Sequence, residues 1–160
     1  MTYCCEYTSP LGNLLLTSDG EALTGLRMQE SIPVGACLKP ELPVLEAAKS
    51  WLDGYFSGVV SERSFPLRAE GTPFQKLVWE ILLTIPFGST RTYGDISAEV
   101  AGRLGRKTMS SQAVGQAVGR NPLAIIIPCH RVIGAGGELT GYAGGLDRKV
   151  WLLRHEGMKI

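Results

Sequence analysis

The sequence predicts an α/β (α+β) fold: a small N-terminal domain with a three-stranded antiparallel sheet and a helix, then a mostly helical C-terminal domain. Short apolar runs separated by turn residues fill the first 30 residues, whereas apolar residues at helical spacing recur from residue 43 onwards. The segment 57–71 has no such pattern and is typical of a connection. We therefore expect domains at residues 1–71 and 72–160.

The first domain is predicted from three apolar runs and one amphipathic stretch. The runs at 3–7, 14–17 and 22–28 predict strands, and the short turns between them favour an antiparallel meander. Apolar residues at helical spacing then predict a helix over about residues 43 to 56. Cys4 and Cys5 cannot complete a Cys/His zinc site in this domain, because the only histidines are His130 and His155. Packing is the better interpretation, and no metal site is predicted.

The second domain is predicted from helix start signals. Thr72-Pro73-Phe74-Gln75 is a capping box with proline at the first helical position, and further helices are predicted to begin at Thr92 and at Ser110 or Ser111. A last helix is expected to close at Glu156. The helix–turn–helix order and the basic connection over residues 102–109 suit a DNA-binding surface. A short polar helix packed on a globular core is the alternative.

Charge and hydropathy restrict the partners and the location that the protein can have. Residues 1–71 hold 5 Lys/Arg against 9 Asp/Glu, a net of −4, whereas residues 72–160 hold 11 against 6, a net of +5. This asymmetry points to a polyanionic partner for the second half, although a chance surface imbalance explains it nearly as well. No apolar run approaches the roughly 20 residues of a membrane span, and no signal peptide is recognisable. Four cysteines are too few for a disulfide scaffold, so we expect a reduced, cytoplasmic protein.

The stretch 121–132 carries the candidate chemistry. Residues 125–127 are three consecutive isoleucines, which predict a short buried strand that Pro128 ends. Cys129 follows at once, beside His130 and Arg131, whose positive charge is expected to lower the thiol pKa and favour the thiolate. A lone cysteine is more often a small buried hydrophobe, and that alternative stays open on these residues alone.

Four blocks in this order resemble the O6-alkylguanine-DNA alkyltransferase family. They are Thr92-Tyr93-Gly94, then Pro128-Cys129-His130-Arg131-Val132 with Asn121 eight residues before the cysteine, then Gly141-Tyr142-Ala143-Gly144-Gly145-Leu146, and finally Trp151-Leu152-Leu153-Arg154-His155-Glu156-Gly157. The resemblance is close over residues 72 to 160 and loose before them. It implies a winged-helix-like DNA-binding element and transfer of an alkyl group from O6-alkylguanine, or O4-alkylthymine, to a cysteine that is used once.

The resemblance also implies the roles of individual residues. Cys129 is the implied nucleophile, His130 acts on it through a water, Glu156 orients His130, Tyr93 gives a proton to the leaving guanine, and Asn121 ties the recognition helix to the active site. Neighbouring residues on a regular strand face opposite sides. For Cys129 and His130 to act together, the chain must therefore turn at Pro128 and Cys129. The implied base pocket consists of Val118, Val132, Tyr142, Ala143 and Gly144.

The implied partner is double-stranded DNA containing O6-alkylguanine, bound through its minor groove with the damaged base flipped out. No cofactor, membrane or obligate protein partner is expected. The implied DNA-binding residues are Arg91, Thr92, Ser111, Gln112, Ala113, Gly115, Arg120 and Arg131. Many relatives carry arginine where this chain has Gln112, and glutamine is shorter and uncharged.

The sequence is compatible with three functions. The first is single-use alkyl transfer to Cys129. The second is a non-catalytic protein of the same fold that senses alkylguanine, which the presence of Cys129 disfavours. The third is a thiol hydrolase using Cys129 and His130, which is disfavoured because no oxyanion site is recognisable in the sequence.

Overall fold

A computed structural model describes all 160 residues and divides the chain into two compact units. The first comprises residues 1–70 with 122–124, and the second comprises residues 71–121 and 125–160. The predicted mixed architecture, a sheet in the N-terminal part and helices in the C-terminal part, is confirmed. None of the helices has the length and apolar character that crossing a membrane requires.

The first unit is built on a four-stranded sheet with the order β3-β2-β1-β4. β1 (Tyr3–Ser9) pairs antiparallel with β2 (Gly12–Ser18), and β2 pairs antiparallel with β3 (Leu23–Met28), which confirms the predicted meander. β4 (Cys37–Leu38) adds a parallel edge to β1 and was not predicted, since two residues show no periodicity. Helix α1 (Pro43–Phe56) has the predicted bounds.

The core of this unit contains both neighbouring cysteines of β1. Cys4 and Cys5 are buried, as are Leu14, Leu16 and Leu45. Burial removes their apolar surface from water, so these thiols act as small hydrophobic side chains.

The second unit contains four helices and a two-stranded parallel sheet. Its elements are α2 (Pro73–Leu82), β5 (Arg91–Thr92), α3 (Tyr93–Arg103), α4 (Ser111–Gly119), β6 (Val132–Ile133) and α5 (Leu146–His155). β5 pairs with β6 in parallel, a pairing that the sequence did not predict. The helices α2, α3 and α4 pack on one another.

Side-chain caps begin the first three helices of this unit as predicted. The hydroxyl of Thr72 accepts from the N–H of Gln75, whose side chain accepts from Thr72 in return. Thr92 and Asp95 form the same reciprocal box at α3, and Ser110 caps α4. Such caps satisfy N–H groups that have no partner within the helix. The cap at Thr92 places Tyr93 in the first turn of α3.

The predicted strand at residues 125–127 is wrong. These residues lie in a turn, and Ile125 has a φ of +71°, which β-branched residues rarely adopt. The extended pairing lies instead at Leu123, which bridges to Leu26 in the first unit. An apolar run does not distinguish a buried strand from a buried turn, because both exclude water from the same side chains.

Candidate active site

Cys129 begins a single 3-10 turn that spans Cys129–Arg131 and leads directly into β6. All three side chains of the turn are buried. The turn replaces the strand geometry that would have separated neighbouring side chains, so the predicted turn at Pro128 and Cys129 is confirmed.

His130 is paired with Glu156, the C-cap residue of α5. Its Nε2 lies 2.7 Å from Oε2 of Glu156, and both residues are buried. A carboxylate at this distance holds the ring proton on Nε2, which leaves Nδ1 with a free lone pair. Nδ1 is itself buried without a protein partner. Burial lowers the pKa of His130, against the opposing effect of Glu156. His130 is therefore a neutral base with its acceptor nitrogen free.

Glu156 is not a solvated helix residue. Besides His130, its carboxylate accepts a hydrogen bond from the backbone N–H of Gly88 at 3.2 Å. It also accepts from Arg131, whose Nε lies 2.8 Å from Oε1 and whose Nη2 lies 3.0 Å from Oε2. A buried carboxylate needs such partners to remain charged.

The placement of Arg131 on the DNA-binding surface is wrong. Arg131 is 8% exposed, and its third donor, Nη1, binds the carbonyl of Ile85 at 2.6 Å. The guanidinium also lies over the ring of Phe87, 5.9 Å from its centroid. Arg131 is therefore a buried side chain whose hydrogen bonds lie inside the protein, and it is not part of the exposed surface.

The expected lowering of the Cys129 pKa by its chain neighbours is also wrong. Burial raises the pKa of the Cys129 thiol, because a thiolate is poorly solvated there. A hydrogen bond from Asn121 and the charge of Lys149 oppose this effect without overcoming it. His130 is neutral and Arg131 is paired with Glu156, so neither supplies the expected positive charge. The resting nucleophile is a thiol.

Lys149 of α5 lies in the site although the sequence did not predict it there. It is fully buried, and its Nζ donates to the carbonyls of Val132 at 2.7 Å and Thr140 at 3.0 Å. Its Nζ also lies 5.9 Å from the ring centroid of Tyr93. Burial lowers the pKa of Lys149. The available signal was its position three residues before Leu152, on the apolar face of the predicted helix.

Asn121 and Tyr93 lie close to this centre. The amide nitrogen of Asn121 donates to the carbonyl of Ile127 at 2.7 Å, which holds the end of the buried turn. The hydroxyl of Tyr93 donates to the carbonyl of Thr140 at 3.3 Å. Burial raises the pKa of Tyr93, with a smaller contribution from Cys129, so its hydroxyl stays protonated at neutral pH.

The predicted base-pocket residues occupy different environments. Val118 and Val132 are buried, Ala143 is exposed, and Gly144 accepts from Arg148 through its carbonyl. The hydroxyl of Tyr142 is buried without a partner, and burial raises its pKa well above the usual value. A buried hydroxyl without a partner is unusual, and it is available to donate a hydrogen bond to a bound group.

The predicted DNA-binding residues lie mainly on α4 and at the start of α3. Ser111, Gln112 and Arg120 are exposed, and Ala113 and Gly115 are half-buried. The side chain of Thr92 caps α3 by accepting a hydrogen bond from the N–H of Asp95. Arg91 pairs with Glu99 at 2.6 Å and is 30% exposed, so it is only partly available to another partner.

The chain matches two parts of one known family. Residues 73–158 match the profile described as 6-O-methylguanine DNA methyltransferase, DNA binding domain, and residues 2–69 match its ribonuclease-like domain. The chain belongs to this family. The predicted resemblance is thereby confirmed, and it now extends over the N-terminal part that resembled the family only loosely.

Individual relatives of this family are similar along their whole length. A methylated-DNA–protein-cysteine methyltransferase of Mycobacterium leprae is 48% identical over 162 residues, which cover 100% of this chain and 95% of that protein. One from Methanosarcina acetivorans is 43% identical and covers 97% of this chain and 98% of its own length. The crystal structure of Mycobacterium tuberculosis OGT in complex with DNA superposes with a TM-score of 0.85 at 43% identity, covering 96% of this chain and 92% of that one.

Proposed function

We propose that this protein repairs alkylated DNA by moving the alkyl group of O6-alkylguanine, and of O4-alkylthymine, onto Cys129. The observation that carries the proposal is the pairing at His130. Glu156 holds Nε2, Nδ1 is free, and the nucleophile is the preceding residue of the same turn. A neutral, oriented imidazole next to a protonated thiol is the arrangement that general-base activation requires.

In the proposed reaction, His130 takes the thiol proton through a water molecule as the sulfur attacks the alkyl carbon. The bond between that carbon and guanine O6 breaks, and a thioether forms on Cys129. Asn121 and Lys149 stabilise the developing thiolate, since both favour the charged form of the sulfur. Tyr93 supplies a proton to the leaving guanine, and its raised pKa keeps the hydroxyl protonated until then.

The reaction is proposed to occur once for each protein molecule. A thioester carries a carbonyl that water can attack, whereas a thioether does not. The base that activates the thiol therefore offers no route to regeneration. The protein accelerates a stoichiometric reaction and is consumed by it.

DNA is proposed to bind through the exposed face of α4 in the minor groove. Ser111 has a small side chain and Gly115 has none, which permits close approach of the backbone, and Arg120 offers a charge to phosphate. The target carbon is inaccessible in stacked DNA, so the base must leave the stack and enter the site near Cys129. Gln112 is proposed to occupy the space that the flipped base vacates.

The test is a titration of duplex DNA carrying one O6-methylguanine with the full-length protein. We expect guanine to be restored in proportion to protein, with one lesion repaired for each molecule and no further turnover. Binding to the lesion without restoring guanine would identify the lesion-sensing alternative and contradict the proposal. Repair of many lesions by one molecule would contradict the single-use mechanism.

A further inference from the structure

Arg131 has no role in the mechanism described above, yet it is one of the most fully engaged side chains of the site. Three of its five guanidinium N–H groups donate hydrogen bonds, two in parallel to Glu156 and a third to the carbonyl of Ile85. A bidentate arginine–carboxylate pair is directional as well as strong. The same carboxylate binds His130, so one buried anion is shared between a permanent cation and a titratable base.

This sharing matters because a buried anion next to histidine normally favours the imidazolium. Glu156 alone would stabilise a protonated His130, and an imidazolium has no lone pair to accept a thiol proton. Arg131 supplies the opposing charge at the same carboxylate, with Nε on Oε1 and Nη2 on Oε2, the oxygen that His130 also binds. The Glu156–Arg131 pair is then neutral overall, while its carboxylate still orients the imidazole.

We propose that Arg131 is a positioning residue that neutralises Glu156 and thereby keeps His130 an uncharged proton acceptor. The inference rests on the proposed function, since it concerns the base that activates Cys129. It assigns to Arg131 a role inside the protein in place of the DNA contact that the sequence suggested.

The other charged or titratable groups around His130 agree with this assignment. Within its own turn His130 is flanked by Cys129 and Arg131, and α5 contributes Glu156 and Lys149. Helix α2 also packs on the turn, but its charged residues Lys76 and Glu80 are exposed. Burial lowers the pKa of His130, Arg131 and Lys149 lower it further, and Glu156 alone raises it. Removing the charge of Arg131 therefore raises the pKa of His130.

The first test follows the ionisation of His130 by NMR in the full-length protein. The chain has only two histidines, so comparison with His155→Gln assigns both imidazole signals. In Arg131→Gln, we expect the pKa of His130 to rise by roughly one pH unit or more. Arg131→Lys is the matched control, because it also loses the planar fork but keeps the charge, and its His130 should titrate close to the wild type. Equal behaviour of the two variants would overturn the proposal.

The second test measures alkyl transfer from free O6-benzylguanine between pH 6 and pH 8, which avoids any effect on DNA binding. Arg131→Gln should lose rate as pH falls, by about tenfold for each pH unit below the raised pKa, and recover at high pH. Arg131→Lys should be slower than the wild type by the same factor at every pH. A purely structural role predicts pH-independent losses in both variants and would contradict the proposal.

Glu156→Gln provides a test that does not depend on the folding of Arg131→Gln. This substitution leaves the guanidinium charge unopposed next to His130, so the pKa of His130 should fall below its wild-type value. Adding Arg131→Gln to Glu156→Gln should then raise the pKa of His130 again, and an unchanged pKa in the double variant would overturn the proposal. Failure of the wild-type protein to transfer alkyl groups would refute the proposed function instead, and the NMR titrations would still report whether Arg131 controls His130.

Discussion

Cys5 in β1 and Cys129 in the 3-10 turn are both buried thiols, with 1% and 7% of their surfaces exposed. Burial raises the pKa of each, to about 11 for Cys5, and a lysine opposes the effect in each case, Lys49 for Cys5 and Lys149 for Cys129. The difference lies in the remaining neighbours. Cys129 has a hydrogen bond from Asn121 and is followed by an oriented base, whereas Cys4 and Glu46 raise the pKa of Cys5 further.

This comparison shows that neither burial nor a nearby lysine identifies a nucleophile. A buried thiol becomes reactive when a base can take its proton and when donors stabilise the resulting thiolate. Both conditions depend on groups from distant parts of the chain. Around Cys129 these groups are Asn121, His130 of the 3-10 turn, and Lys149 and Glu156 in and at the end of α5.

Replacing each of the two cysteines in turn should give the largest difference in alkyl transfer between the two regions. Cys129→Ser should reduce alkyl transfer by roughly a thousandfold or more, because a hydroxyl is a much weaker nucleophile at neutral pH. Cys5→Ser should leave transfer nearly unchanged, although it places a hydroxyl in the core and lowers thermal stability. Single-turnover alkylation and thermal unfolding of both variants provide the measurement. Substantial transfer by Cys129→Ser would show that the nucleophile lies elsewhere.

Removing the buried lysine should have the next largest effect. Lys149→Met keeps most of the side-chain volume but deletes the charge that opposes the raised thiol pKa, so we expect transfer to slow by at least about tenfold. Raising the pH should recover part of the loss, since a higher pH restores thiolate. The matched control is Lys159→Met, an exposed lysine of the C-terminus, which should behave as the wild type. Equal rates for the two variants would show that Lys149 does not stabilise the thiolate.

Gln112→Arg should give the smallest change, and only with duplex DNA. Arginine fills more of the gap left by a flipped base and keeps a charge near phosphate. About 1 kcal/mol of additional compensation for unstacking corresponds to a several-fold higher rate on duplex DNA. The rate with free O6-benzylguanine should not change, because that substrate needs no flipping. Gln116→Arg, one turn further along the same exposed face, is the control. An equal gain from both substitutions would indicate a general charge effect and contradict the special role of Gln112.

The sequence predicted the features that depend on local chemistry. The capping box at Thr72 and the helix start at Thr92 were recognisable because the cap hydrogen bonds join residues three apart. The meander of the first three strands followed from short turns between alternating runs. The turn at Cys129 followed from the geometry that the resemblance required.

The features that the sequence did not predict depend on contacts between distant residues. Isoleucine favours extended backbone, so its residue type predicted a strand at 125. The structure gives Ile125 a left-handed conformation instead. Arg131 was expected on the surface because its pairing with Glu156, 25 residues later, cannot be inferred from its neighbours. The same applies to the pKa of the Cys129 thiol, because the direction of its shift depends on how deeply the 3-10 turn is buried.

The most direct test of the central claim is to locate the transferred group among the four cysteines. The protein is incubated with duplex DNA containing isotopically labelled O6-methylguanine, digested, and sequenced by tandem mass spectrometry. We predict one labelled methyl group on Cys129 and none on Cys4, Cys5 or Cys37, with labelling lost in Cys129→Ser. Label on another cysteine, or none on the protein while guanine is restored in the DNA, would contradict the account.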